Sequence, residues 1–133
     1  MSISYPYAVK RIEEGLLVDP RIVMEIKTRF GFIRVKFLVD SGADVTTLPL
    51  SPYASLFEFQ KNPARKTTIG GVEGGRVIAH PHELTMRLGK DEMRIRCYLI
   101  ESRVDPLLGR LDFWSRYSIN FDNKLKATFL TKL

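Results

Sequence analysis

The sequence predicts a single, small domain that consists mostly of β-structure. Apolar and polar residues alternate with a period of two along most of the chain, and no long window follows the helical period of 3.6. Short turns rich in Gly, Asp and Asn separate the alternating segments. The length of 133 residues fits one domain, 1–133, with one hydrophobic core. A content of 44% hydrophobic and 27% charged residues excludes collagen-like and disordered classes.

Three antiparallel hairpins account for most of the predicted strands. They pair Ile22 to Ile26 with Ile33 to Val39, Glu83 to Leu88 with Met93 to Leu99, and Ile119 to Phe121 with Ala127 to Leu130. Two further segments have helical character over one or two turns each. Ser51 to Phe59 opens with Ser-Pro, and Arg110 to Tyr117 follows a glycine.

The cysteine content and the N-terminal sequence indicate a cellular compartment. Cys97 is the single cysteine, so no disulfide can form within the chain, and its place among the apolar residues of a strand predicts a buried thiol. The first nine residues lack the pattern of a signal peptide, and no segment approaches the roughly 20 apolar residues of a membrane helix. We therefore expect a cytoplasmic protein that does not bind membranes.

The first segment with chemical character runs from Phe37 to Pro49. An apolar strand leads directly into Asp40, Ser41 and Gly42, which places a carboxylate at the mouth of a buried strand. Glycine allows the backbone to turn tightly beside that carboxylate. Taken alone, Asp-Ser-Gly after a strand is more often an ordinary turn.

Two further segments follow in the chain. Ile69 to Gly75 contains two glycine pairs at a hairpin tip, where backbone amides could approach a ligand closely. An ordinary glycine-rich hairpin is the alternative, and no Gly-Lys-Ser/Thr pattern supports a phosphate loop. Pro106 to Trp114 has two leucines before Gly109 and Arg110 and then leads into the second helical segment.

Together and in this order, the three segments resemble those of retropepsin-like aspartic proteases, the retroviral type of acid protease. The resemblance covers Phe37 to Trp114, which is more than half of the chain. It implies a small closed β-barrel-like fold with one short C-terminal helix, in a homodimer. Residues 1–21 lie outside it, and we interpret them as an N-terminal extension or an interface strand.

The resemblance also implies a role for each site residue. Asp40 would be catalytic, Ser41, Gly42 and Ala43 would support the catalytic loop, and Asp44 would form an ion pair with Arg110. Asp44 would also bind substrate, together with the flap glycines and one valine: Gly70, Gly71, Val72 and Gly74. Glu73 interrupts the glycines and departs from the retroviral pattern.

Hydrolysis by carboxyl groups requires two of them. One carboxylate takes a proton from water while a second, protonated carboxyl donates one to the scissile carbonyl. Because the sequence contains one Asp-Ser-Gly, the second group must come from another copy across a two-fold axis. A shared proton predicts a bell-shaped rate profile on the acidic side of neutral, with apparent pKa values that belong to the pair.

Other functions are weaker interpretations of the same sequence. A catalytically silent dimeric module of this fold could bind extended peptides by strand addition. The formal net charge of +6 could suggest nucleic acid, but the basic residues are dispersed, so we expect no nucleic-acid partner. His80 and His82 could form half of a metal site, but a clear third ligand is missing nearby, so edge or surface histidines are favoured. We therefore predict a peptide or protein substrate, no metal and no cofactor.

Overall fold

The computed structural model describes residues 2–70 and 75–133, and these residues contain twelve strands and one helix. The elements are β1 (Ser2–Pro6), β2 (Ala8–Ile12), β3 (Gly15–Asp19), β4 (Arg21–Thr28), β5 (Gly31–Val39), β6 (Thr46–Pro49), α1 (Leu50–Leu56), β7 (Thr67–Gly70), β8 (Arg76–Leu88), β9 (Asp91–Ile100), β10 (Leu107–Leu108), β11 (Tyr117–Asp122) and β12 (Ala127–Lys132). The three predicted hairpins are confirmed as β4–β5, β8–β9 and β11–β12.

The central sheet closes on itself. Its strands follow the order β4-β5-β10-β6-β9-β8-β7, and β4 also pairs with β8 through Glu25 opposite Arg87 and Ile26 opposite Met86. Six strands thus form a ring, and β7 extends it from β8. The mostly β, closed barrel-like fold that the sequence predicts is confirmed.

Alternate residues of the ring strands point inward and form the core. The inner side chains of β4 and β5 include Ile22, Met24, Ile26 and Phe37, all of which are buried. They pack against inner residues of β8 and β9, and Phe113 joins them from the segment after β10. Cys97 is one of the buried core residues, as predicted. Its burial raises the thiol pKa to about 12, so it behaves as a small hydrophobic group and not as a nucleophile.

Two smaller sheets contain the chain termini. β1 pairs with β12, which pairs with β11, and together they form a three-stranded antiparallel sheet. Tyr117 connects this sheet to the β8–β9 turn, because its hydroxyl donates to the Asp91 carboxylate at 2.6 Å. That hydrogen bond, with help from Lys132, lowers the pKa of Asp91.

β2 and β3 form a separate two-stranded hairpin. Much of its side-chain surface is apolar and open to solvent, and the exposed residues are Val9, Ile12, Leu16, Leu17 and Val18. The segment interpreted as an N-terminal extension or an interface strand thus contains three strands between residues 2 and 19, of which β1 covers part of the barrel.

The predicted C-terminal helix is wrong. Arg110 to Tyr117 forms two short hydrogen-bonded turns, in which Arg110 accepts from Trp114 N and Phe113 accepts from Tyr117 N. Asp112 has a φ of +67°, a left-handed conformation that interrupts a right-handed helix. The one helix among the described residues is α1. It begins one residue before Ser51 to Phe59, the other segment predicted to be helical, and ends within it. No helix in the described part of the chain has the length and apolar character needed to cross a membrane.

Phe37→Ala tests the core assignment. Phe37 is fully buried, so truncation should lower the free energy of unfolding by about 3–5 kcal/mol. Phe30→Ala is the matched control, because Phe30 is 72% exposed at the β4–β5 turn and its loss should cost less than about 1 kcal/mol. Urea denaturation followed by circular dichroism measures both values, and equal losses would contradict the assignment.

Candidate active site

Asp40 lies where β5 leaves the barrel. Its backbone N–H donates to the Leu108 carbonyl at 3.1 Å, and the preceding Val39 N–H donates to the Pro20 carbonyl at 3.0 Å. Backbone hydrogen bonds to the neighbouring segments on both sides of β5 thus continue up to Asp40. Parallel pairing of β5 with β10, Val39 opposite Leu108, provides the base of the loop.

The carboxylate of Asp40 organises the turn that follows it. Its Oδ1 accepts the Gly42 backbone N–H at 2.9 Å, and the Asp40 carbonyl accepts the Ala43 N–H at 3.2 Å. A Cβ added to Gly42 would lie 3.3 Å from the same Oδ1, so glycine leaves the carboxylate room. Ser41 is exposed on this turn. Asp40, Ser41, Gly42 and Ala43 thus form one compact loop, as the sequence interpretation requires.

A close backbone contact fixes the far side of the loop. Gly109 lies so near the 45–46 segment that an added Cβ would be 2.4 Å from the Val45 carbonyl carbon and 2.8 Å from the Thr46 nitrogen. The Gly109 N–H donates to the buried Thr46 hydroxyl at 3.0 Å. Only glycine fits this position without displacing the loop. Thr46 is not among the residues predicted for the site, because its contact with Gly109 joins segments that are far apart in the sequence.

Asp44 and Arg110 come together as the resemblance implies. The Arg110 guanidinium contacts the Asp44 carboxylate, and two backbone bonds run beside this ion pair. Arg110 N donates to the Ala43 carbonyl at 3.0 Å, and Leu111 N donates to the Asp44 carbonyl at 2.9 Å. The Asp44 side chain is 84% exposed, so the ion pair adds little stability but holds the carboxylate at the cleft.

A second ion pair, which the sequence analysis missed, supports the same segment. The Asp112 carboxylate accepts three bonds from Arg96 on β9: its backbone N–H at 2.9 Å, Nε at 3.0 Å and one terminal nitrogen at 2.9 Å. These bonds lower the pKa of Asp112. Arg96 and Asp112 are 16 residues apart, so their pairing depends on the folded chain rather than on a local pattern.

A mainly apolar cleft of about 660 Å³ adjoins the loop. Its lining combines the Asp40 loop with residues of β6, β7, β8, β9 and β10 and of the segment between β9 and β10. The lining residues are Ala43, Asp44, Val45, Thr47, Ile69, Gly70, Val77, Tyr98, Ile100, Ser102, Val104 and Leu107. Of these residues, the sequence predicts Ala43, Asp44 and Gly70 as part of the site, and most of the others converge on the cleft because strands distant in sequence pair with one another.

The glycine-rich hairpin tip is partly described. Its arms are β7 and the start of β8, with Gly70 opposite Arg76 and Ile69 opposite Val77. Gly70 lines the cleft, and its role in substrate binding stays a prediction. Gly71, Val72 and Gly74, which the sequence analysis assigned to substrate binding, lie outside the described residues.

The interpretation of His80 as a surface histidine is wrong. His80 is only 3% exposed, and its Nε2 pairs at 2.6 Å with the carboxylate of Glu101, which directly follows the end of β9. His82 is partly buried, stacks on Phe57 at 4.9 Å between ring centroids, and has its pKa lowered by burial. Both rings therefore serve packing. No group of three or more potential metal ligands occurs among residues 2–70 and 75–133.

The geometry and the comparisons with known proteins agree on the family. Residues 18–118 match the family described as retroviral aspartyl protease. This match covers the barrel, the Asp40 loop and the cleft, and the chain belongs to this family. No curated protein sequence matches the chain.

Solved structures of similar fold come from viral and cellular sources. EIAV protease, in complex with the inhibitor HBY-793, is 27% identical with a TM-score of 0.52, over 69% of this chain and 82% of that one. A retropepsin-like aspartic protease from Rickettsia conorii is 19% identical with a TM-score of 0.60, over 98% and 90%. The retroviral protease-like domain of Ddi1 from Leishmania major is 22% identical with a TM-score of 0.57, over 86% and 94%.

Gly109→Ala tests the backbone contact behind the loop. The added methyl group would overlap the Val45 carbonyl, and we expect a loss of about 3 kcal/mol in the free energy of unfolding. Gly75→Ala is the control, because a Cβ there would meet nothing within 4 Å. Chemical denaturation measures both, and a Gly109→Ala protein as stable as wild type would refute the close contact.

Asp112→Asn tests the Arg96 ion pair through pH. A folded pKa below the ordinary 3.8 stabilises the fold above pH 3.8, and this stability is lost as the pH falls through the folded value. The variant should therefore be less stable than wild type at pH 7, and the gap should close in acid. Asp122→Asn is the control. Asp122 accepts hydrogen bonds from the Lys124 and Leu125 backbone amides, and the side-chain oxygen of asparagine can accept the same bonds. Denaturation midpoints at pH 7 and in acid measure the difference in stability between the variant and wild type. A difference that does not change with pH would exclude the ion pair as its source.

Proposed function

We propose that this protein is an aspartic endopeptidase that hydrolyses peptide bonds at a dyad of two Asp40 carboxylates, one from each chain of a homodimer. The observation that carries the proposal is the Asp40 loop. Its carboxylate stands at the end of a barrel strand, is held by the Gly42 amide, and adjoins an apolar cleft through Ala43 and Asp44. Family membership supports the same chemistry.

The dimer follows from the count of carboxylates. The chain supplies one Asp-Ser-Gly loop, and water activation with protonation of the carbonyl requires two carboxyl groups that share a proton. A two-fold axis beside Asp40 would bring the second carboxylate from the partner. Ser41 is exposed on the same turn, so its hydroxyl would reach across the axis and hold the two loops in register.

The substrate would lie as an extended peptide along the cleft. Apolar walls such as Val77, Ile100 and Leu107 would accept its side chains, while the Asp44 carboxylate would accept backbone N–H groups from it. The hairpin of β7 and β8 would serve as a flap that covers the peptide and excludes water. The glycines of the tip would let the flap approach the peptide backbone closely.

Asp40→Asn tests the chemistry. Removal of the ionisable carboxyl should reduce cleavage of a denatured protein or a peptide library at least about a hundredfold, without a loss of fold. Asp122→Asn is the matched control, because it makes the same chemical change at a turn in the C-terminal sheet. Mass spectrometry of the products, with and without pepstatin, measures the effect. Cleavage by Asp40→Asn at the wild-type rate would overturn the mechanism.

Mixing the two proteins tests the dimer. If each active unit needs two Asp40 carboxylates, equal amounts of wild type and Asp40→Asn should, after exchange of chains, leave about one quarter of the dimers active. Independent monomers would leave one half of the molecules active, which would contradict the shared dyad. Sedimentation at the assay concentration gives the oligomeric state directly. Peptide binding by wild type without cleavage would favour the silent binding module.

A further inference from the structure

Arg21 holds together two acidic side chains from separate parts of the chain. One terminal nitrogen of its guanidinium lies 3.3 Å from Asp19 Oδ2 and 3.1 Å from Asp105 Oδ2. The Arg21 side chain is 16% exposed and that of Asp19 is 12% exposed, so this half of the cluster is shielded from water. The Asp105 side chain is 63% exposed and reaches Arg21 from the surface.

Asp105 belongs to the segment 101–106, which connects β9 to β10 without regular structure. This segment forms one wall of the apolar cleft, because Ser102 and Val104 line it. An irregular segment has few backbone bonds to hold it, so side-chain contacts set its position. The position of this wall determines the width of the cleft.

The segment is anchored at both ends. At its start, the Glu101 N–H donates to the Ile78 carbonyl at 2.9 Å, and the Glu101 carboxylate pairs with His80 at 2.6 Å and with Lys61 at 3.4 Å. At its end, the Pro106 carbonyl accepts the Leu38 N–H at 3.0 Å, and Asp105 pairs with Arg21. Ser102 and Val104 lie between the two anchors.

The charges make the Arg21 anchor depend on a single cation. Asp19 and Asp105 share one guanidinium nitrogen, so removal of the Arg21 side chain would leave two carboxylates close together without the cation that pairs with both. Repulsion would then push the exposed partner, Asp105, away from the barrel. Removing the Asp105 charge instead frees the segment but leaves Arg21 paired with Asp19.

We infer that Arg21 is a positioning residue for substrate binding: through Asp105, it holds the 101–106 segment as a wall of the cleft. The inference rests on the proposed function for its kinetic consequence. The catalytic loop has its own supports in the Leu108 carbonyl and the Gly109–Thr46 bond. Loss of the Arg21 anchor should therefore weaken peptide binding while the chemical step continues.

Asp105→Asn and Arg21→Ala test the inference by kinetics on a peptide that the wild type cleaves. Both variants should raise KM about three- to tenfold, which corresponds to loss of one well-placed contact, and should leave kcat within about twofold. The double variant should be no worse than Arg21→Ala, because both changes break one interaction. Arg21→Lys keeps the charge but loses the planar fork, so it should restore part of the lost affinity. Asp122→Asn is the matched control and should leave KM unchanged.

Hydrogen exchange tests the anchor without any need for activity. The Leu38 amide, which donates to the Pro106 carbonyl beside Asp105, should exchange faster in Asp105→Asn than in wild type or Asp122→Asn. Unchanged exchange would overturn the anchor whatever the kinetics show, and a fall in kcat at constant KM would overturn the binding role. If the wild type cleaves nothing while Asp105→Asn still exchanges faster than it, the proposed function is refuted and the anchor is supported.

Discussion

The arrangement of the site depends on one close approach of two backbones. Gly109 packs against the 45–46 segment at a distance that no side chain can occupy, and its N–H binds the buried Thr46 hydroxyl. This contact joins the strand that ends at Asp40 to the segment that carries Arg110, because β10 pairs with β5 on one side and with β6 on the other. The loop is thus held between two strands before any substrate binds, so little ordering remains to be done on binding.

Local patterns were sufficient for the hairpins and for the Asp40 loop. Period-2 alternation places Phe37 and Val39 in the core and Asp40 at the strand end, since a half-buried strand has no other satisfactory register. The Asp-Ser-Gly turn is equally local, because the Asp40 carboxylate binds the amide two residues later. The family resemblance added the partners that are distant in sequence, such as Asp44 and Arg110.

The predictions that failed concern residues whose structure depends on contacts with distant parts of the chain. The helical pattern of Arg110 to Tyr117 is real, but Asp112 turns into a left-handed conformation where its carboxylate meets Arg96. His80 has the sequence surroundings of a surface residue, and the pairing of β8 with β9 brings Glu101, the residue after β9, next to it. Most of the cleft wall was missed for the same reason, since sheet order decides which side chains converge.

The free hairpin of β2 and β3 has a consequence for how the protein behaves at high concentration. Among the described residues, these strands pair only with each other, so each presents an open row of backbone donors and acceptors. On β3 the three consecutive residues Leu16, Leu17 and Val18 are exposed and uncharged. Such an edge is a template for the addition of another strand, and most soluble proteins protect theirs with charges or prolines. A lysine in place of Leu17 would therefore be a sensible first change for anyone who needs concentrated samples.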